Sequence, residues 1–245
     1  MEHLNLHLRR ELIQICERLV ALGYVIGTYG NASARVSGGL IITPSRVDYA
    51  ELVPEDMVTV SDAGVILAGT RLPSSELEVH RQIYLRRPDV NAVLHTHSLH
   101  ATALSCCHDT IPVIVEEQSQ VVGGEIRCTR YVPAGRHEEL GEETARALGT
   151  SNAVLIANHG VVNCGRSLDE ALFTSIVVER IAQMRLLTGV GAVVSIPPEH
   201  VASEHDRFLH RYGTAADRDS AAPESSPLSR RRRAGYPRSG WRAGR

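Results

Sequence analysis

Three histidines and one carboxylate carry the strongest chemical signal in this chain. His95 and His97 stand two residues apart at the end of the apolar run NAVLHT. Residues i and i+2 of a strand point to the same face, so His-x-His at a strand end aims two imidazoles at one point, as Zn²⁺ requires. Twelve histidines make accidental pairs easy, and the pair takes its weight from His159, which follows a second apolar run, AVLIA, and precedes Gly160. A glycine there lets backbone approach closely. Three imidazoles with one open position match a catalytic zinc site rather than a structural one. Glu76 is the candidate fourth group. It sits at a helix start, where an anion is stabilised, and a carboxylate beside a metal can ligate it and move protons; helix capping is its competing role. Ser74 and Ser75 share that helix start, where hydroxyls and free N–H groups hold phosphate. Asn31 and the turn Thr43-Pro44-Ser45 add polar groups that also suit plain turns.

Composition removes several alternatives. The chain has 245 residues and no lysine, all 26 basic residues being arginine. Imine chemistry on a lysine amine is therefore excluded, as is a phosphate loop built on its Lys. Any carbonyl must be activated by a metal or a hydrogen-bond donor. The five cysteines are odd in number and irregularly spaced, which points to a reducing, cytoplasmic compartment without a disulfide framework. MEHLNLHLRRELIQ has no apolar signal core, and no apolar run is long enough to span a membrane. The net charge of −2 conceals an asymmetry: eight arginines against three acids beyond residue 213 leave about −7 on the rest. A nucleic-acid-binding body is not expected.

The elements that must position these groups follow from periodicity. Leu8, Leu12, Ile15, Leu19 and Leu22 predict a helix that ends at Gly23. Gly38-Gly39 between extended runs predicts a hairpin within residues 27–44, and 54–69 reads as further short strands. A helix capped by Ser74 or Ser75 runs to Pro88, strands cover 91–96, 111–115 and 153–157, and helices cover 136–149, 167–188 and 198–212. Strands and helices alternate in the manner of a layered α/β fold. Two parts are expected: a catalytic domain over residues 1–213, and a disordered Arg-rich tail over 214–245. For Arg230–Arg233 a solvated tail is the plainer reading.

Taken together, GNASAR (30–35), ITPS (42–45), PSSE (73–76), HTH (95–97) and NHG (158–160) resemble the class II aldolase/adducin family over roughly residues 8–213. The resemblance implies a three-layer α/β/α sandwich with a mostly antiparallel central sheet, assembled as a homotetramer. It implies His95, His97 and His159 as zinc ligands, with Zn²⁺ or another divalent transition metal as cofactor and Glu76 as a metal-associated acid/base. Phosphate contacts fall on Asn31, Ser45, Ser74 and Ser75. A Tyr-Gly segment used by the family's fuculose-phosphate aldolases matches RFLHRYG, which assigns a catalytic role to Tyr212.

Two departures bear on the reaction. Ser45 is followed by Arg46, where the family's phosphate turn often has glycine; the guanidinium either contacts phosphate or blocks its seat. After IPVIV the chain reads Glu116-Glu117, where fuculose-phosphate aldolases carry a tyrosine and related dehydratases and epimerases an acid. The resemblance therefore implies a metal-dependent aldolase that cleaves a ketose 1-phosphate to dihydroxyacetone phosphate and an aldehyde through a zinc-stabilised enediolate. The alternative is a dehydratase, 4-epimerase or decarboxylase on a related sugar phosphate, with Glu117 or Glu116 as acid/base. A scaffolding relative, as in adducin, has no need of all three histidines and the glutamate.

Overall fold

The structure, a computed structural model, describes residues 2–189, 193–214 and 217. The chain divides into two compact units, Met1–His210 and Arg211–Arg245. Apart from residues 214 and 217, the Arg-rich tail expected beyond residue 213 lies outside the described residues.

The first unit is built on one eight-stranded sheet. Its strands are β1 (Asn31–Val36), β2 (Gly39–Ile42), β3 (Val58–Ser61), β4 (Ile66–Ala68), β5 (Ala92–Thr96), β6 (Arg127–Cys128), β7 (Ala153–Ile156) and β8 (Gly160–Gly165). Their spatial order is β4-β3-β2-β1-β5-β8-β7-β6, and every pairing is antiparallel except β6 with β7. The helices are α1 (Glu2–Ala21), α2 (Leu77–Arg86), α3 (Leu99–Ser105), α4 (His137–Leu148), α5 (Leu168–Leu187) and α6 (Pro198–His210).

Strand alternation sends apolar side chains to both faces. Ala92 and Leu94 of β5 pack with Leu12, Ile15 and Leu19 of α1 and Leu172 of α5, whereas Val93 faces Val79 and Ile83 of α2 and Leu148 of α4. A third cluster joins Ala101 and Leu104 of α3, Val178 and Ile181 of α5, and Leu155 and Val161 of the sheet. With helices covering both faces, β5 is buried at all five positions. This is the three-layer α/β/α sandwich with a mostly antiparallel sheet that the sequence implies.

Two local expectations need correction. Residues 111–115 form no strand; Ile111 makes one bridge to Ile126, and Pro112 has no N–H to continue a ladder. The chain then forms a π-helical turn over Gln118–Val122, the kind of insertion found often at functional sites. The second helix begins at Leu77 with Glu76 as its cap residue, not Ser74 or Ser75. Ser74 Oγ instead accepts from the Glu76 N–H at 3.2 Å, closing the turn that precedes the helix.

Candidate metal centre

The order of the sheet brings the three histidines together. β5 and β8 are neighbours, and antiparallel pairing sets Thr96 opposite Val161. His95 therefore lies in β5, His97 just past its end, and His159 in the turn that enters β8. That turn is tight: the His159 N–H donates to Ile156 O at 3.0 Å, and Asn158 takes the left-handed conformation (φ 57°) that asparagine tolerates. Gly160 makes the approach possible. A Cβ there would lie 2.5 Å from Thr96 O and 3.1 Å from the rings of both His95 and His97.

One nitrogen from each of His95, His97 and His159 falls within 4.8 Å of the others. The rings meet edge-on, with centroids 4.8–4.9 Å apart. His95 is fully buried, and its Nδ1 lies 3.1 Å from Val161 O, so Nδ1 carries the proton and the Nε2 lone pair faces the other two rings. His95 Nε2 and His97 Nε2 are 3.0 Å apart, close to the about 3.3 Å between nitrogens that share a tetrahedral zinc. Burial, followed by neighbouring His95 and His159, holds the His97 imidazole down to about 3, and burial also lowers His95. Both rings are thus neutral at physiological pH, the form in which imidazole binds metal. Three converging imidazoles fit a divalent transition metal.

Glu76 faces the trio from the other side. Its Oε2 lies 3.3 Å from His95 Nε2 and its Oε1 3.1 Å from His159 Nε2. Burial pushes this carboxyl up, but His95, His159 and the Asn31 amide outweigh it and hold the group well below the usual carboxylate range. Asn31 pairs with His95 across β1 and β5 and donates its Nδ2–H to Glu76 Oε2 at 2.7 Å. Asn31 therefore acts on Glu76 in this structure, and only one of its two amide hydrogens remains for a phosphate. Gly30 before it has φ 132°, and a Cβ there would sit 2.8 Å from Val25 and 3.0 Å from His95 O.

The serine-bearing turns also meet. Ser45 N–H donates to Leu72 O at 2.9 Å and Ser74 N–H to Thr43 O at 3.0 Å, which joins the 43–45 turn to the turn before α2. Ser74 is buried, Ser75 exposed and Ser45 half-buried. Arg46 is exposed and holds φ 61°, a conformation that favours glycine. Beside the histidines a cleft of about 330 Å³ is lined by Ser75, Glu76, Tyr131, Arg136, His137 and His159, among others.

Glu116 and Glu117 are exposed ahead of the π-helical turn and do not line this cleft. Tyr212 is 56% exposed and belongs to the second unit. Sequence reasoning missed His80, which is fully buried and bonded to Asn31. Its signal was there: His80 follows Glu76 by four, so both fall on one side of the helix start.

Comparison with known proteins places this geometry in a family. Residues 10–186 match the family described as Class II Aldolase and Adducin N-terminal domain. An Escherichia coli L-fuculose phosphate aldolase is 38% identical over 181 residues, which cover 74% of this chain and 83% of that protein. A Rhodospirillum rubrum 5-methylthioribulose-1-phosphate/5-deoxyribulose-1-phosphate aldolase is 36% identical over 210 residues, 86% of this chain and 93% of that one. Among solved structures, an L-fuculose 1-phosphate aldolase superposes with TM-score 0.78 at 32% identity, covering 82% of this chain and 95% of that one. YgbL of Klebsiella pneumoniae, described as an aldolase/epimerase/decarboxylase, gives 0.73 at 30%, covering 81% and 98%. A converging imidazole trio at the β5–β8 junction, a sandwich of this topology and these matches agree: the chain belongs to the class II aldolase and adducin family.

Proposed function

We propose that this protein is a zinc-dependent aldolase that cleaves a ketose 1-phosphate into dihydroxyacetone phosphate and an aldehyde. The observation that carries the reading is the Glu76 carboxylate, lying 3.1–3.3 Å from the nitrogens of His159 and His95 and oriented by Asn31. A divalent metal held by His95, His97 and His159 would supply Lewis-acid stabilisation of the charge that develops on the substrate's carbonyl oxygen. Glu76, ionised and desolvated beside that position, is a base placed to move a proton between carbon and hydroxyl. Ser45, Ser74, Ser75 and the free amide hydrogen of Asn31 hold the phosphate at the start of α2, where the helix dipole favours an anion. Tyr212 takes the proton of the hydroxyl that becomes the aldehyde oxygen as the carbon–carbon bond breaks. The proposal includes a homotetramer and a reducing, cytoplasmic setting, which the free cysteines among the described residues suit.

A retro-aldol assay on zinc-loaded protein tests it. Ketose 1-phosphates of differing side chain, fuculose and 5-deoxyribulose 1-phosphate among them, are offered, and dihydroxyacetone phosphate is read by coupled reduction. Chelator-sensitive release is the expected result. No release with metal bound transfers the reading to a dehydratase, epimerase or decarboxylase centred on Glu116 and Glu117; the description of the Klebsiella relative names the last two.

A further inference from the structure

Behind Glu76 lies a buried polar ladder that the reaction as proposed does not use. One rail is β1, where Asn31 and Ser33 share a face; the other is α2 with its cap residue, where Glu76, His80 and Tyr84 recur at intervals of four. The rungs alternate between the rails. Tyr84 OH lies 2.8 Å from Ser33 Oγ, Ser33 Oγ lies 2.6 Å from His80 Nδ1, His80 Nε2 contacts Asn31 Oδ1, and Asn31 Nδ2 lies 2.7 Å from Glu76 Oε2. None of the four behind the glutamate is more than 4% exposed.

Proton counting gives this ladder one direction. The Glu76 carboxylate accepts only, so Asn31 must turn its NH₂ toward it and its carbonyl toward His80. His80 must then donate from Nε2, which leaves Nδ1 as an acceptor. Ser33 must donate to Nδ1, and Tyr84 must donate to Ser33. The reverse order would set the Asn31 carbonyl against a carboxylate with no proton between them. Every bond in the permitted order points its hydrogen toward Glu76, and aligned bonds in a dry interior strengthen one another.

We infer that His80 is a positioning residue: donating from Nε2 to the Asn31 carbonyl, with its ring held by the Ser33 and Tyr84 hydroxyls at Nδ1, it steadies the Asn31 amide and so holds the Glu76 carboxylate at the metal site. The inference deepens the proposed aldolase reading and rests on it for the role of Glu76. The ladder itself stands on geometry alone.

The test uses full-length, zinc-loaded protein with ¹⁵N-labelled histidine and asparagine side chains. His80→Gln supplies the assignment, and NMR reads the His80 tautomer and the Asn31 amide. The informative variant is the double substitution Ser33→Ala with Tyr84→Phe. It removes both hydroxyls together, so neither faces an empty partner and only the His80 Nδ1 acceptor loses its donor, a smaller change than one at His80 itself. The expected result is an Nε2–H tautomer in the parent. In the double variant Nε2–H persists, because Glu76 and Asn31 still demand it, while the Nδ1 resonance moves toward that of an unbonded imine nitrogen, the Asn31 amide resonances move, and kcat falls about 10- to 100-fold, the usual range for groups that orient a metal site. A parent in the Nδ1–H form overturns the inference. So do unmoved Nδ1 and Asn31 amide signals in the double variant, or moved signals with kcat within about two-fold of the parent. If the parent cleaves none of the sugar phosphates, the aldolase reading fails alone, and the tautomer and amide signals still decide the ladder.

Discussion

Removing one imidazole from the trio separates ligand loss from misfolding. His95 is fully buried, and its Nδ1–H is tied to Val161 O at 3.1 Å. His95→Ala should therefore lose bound metal, measured as moles of zinc per chain, and lose turnover by about 100-fold or more. Full activity without metal would remove the metal mechanism. Glu76→Gln asks a different question. It keeps the side chain's length and removes the charge, so zinc should stay while kcat falls by about 10²- to 10⁴-fold, the range for losing a positioned general base. If instead zinc leaves and added metal restores the rate, Glu76 is principally a ligand.

At the scale of elements, the site depends on how closely the His159 turn passes β5. Gly160 opens β8, and the Cβ of alanine would fall 2.5 Å from the Thr96 carbonyl. Gly160→Ala should push the turn away and spread the histidines, seen as zinc affinity weakened about 10-fold or more with the far-ultraviolet spectrum preserved. Much of this level was legible in the sequence. HxH, HG and the apolar runs before them announced two buried strands ending together, and Gly38 announced the β1–β2 hairpin. What stayed hidden depends on pairing between distant segments. Residues 111–115 have a strand's composition but only one bridging partner. Asn31 read as a phosphate contact because only the β1–β5 register shows it beside His95 and bonded to Glu76. The cap passed from the serines to Glu76 because the 43–45 turn draws Ser74 back onto Thr43 O. His80 recurred visibly with Glu76 and Tyr84, but helical spacing does not reveal that Ser33 of another element completes its hydrogen bonds.

Across the whole chain the absence of lysine and the burial of histidine shape the response to pH. Arginines tie the layers together at backbone carbonyls: Arg9 donates to Pro54 O and Met57 O, Arg35 to Val90 O, and Arg87 to Ser151 O. A guanidinium keeps its charge at any pH the fold survives, so these ties do not titrate. His80 does. Burial, then repulsion from His95, holds it down to about 3 against the pull of Glu76. Between that value and the ordinary histidine range near 6.5, the unfolded chain binds a proton at this position that the folded chain refuses. Stability is then complete above about 6.5 and falls with pH below it, by about 1.4 kcal/mol per unit for the one group. Glu76 acts in the same sense at lower pH: its folded carboxyl lies below its unfolded range, so its contribution is lost only as acid reaches the carboxylates. Metal-free protein denatured with urea at a series of pH values should show the decline beginning near 6.5. His80→Gln should make it shallower between about 6.5 and 4, by about 1.4 kcal/mol per pH unit, leaving the share of His97 and His95. An equal slope in parent and variant would place the acid sensitivity elsewhere, and His97, held equally low among the imidazoles, would be the next group to change.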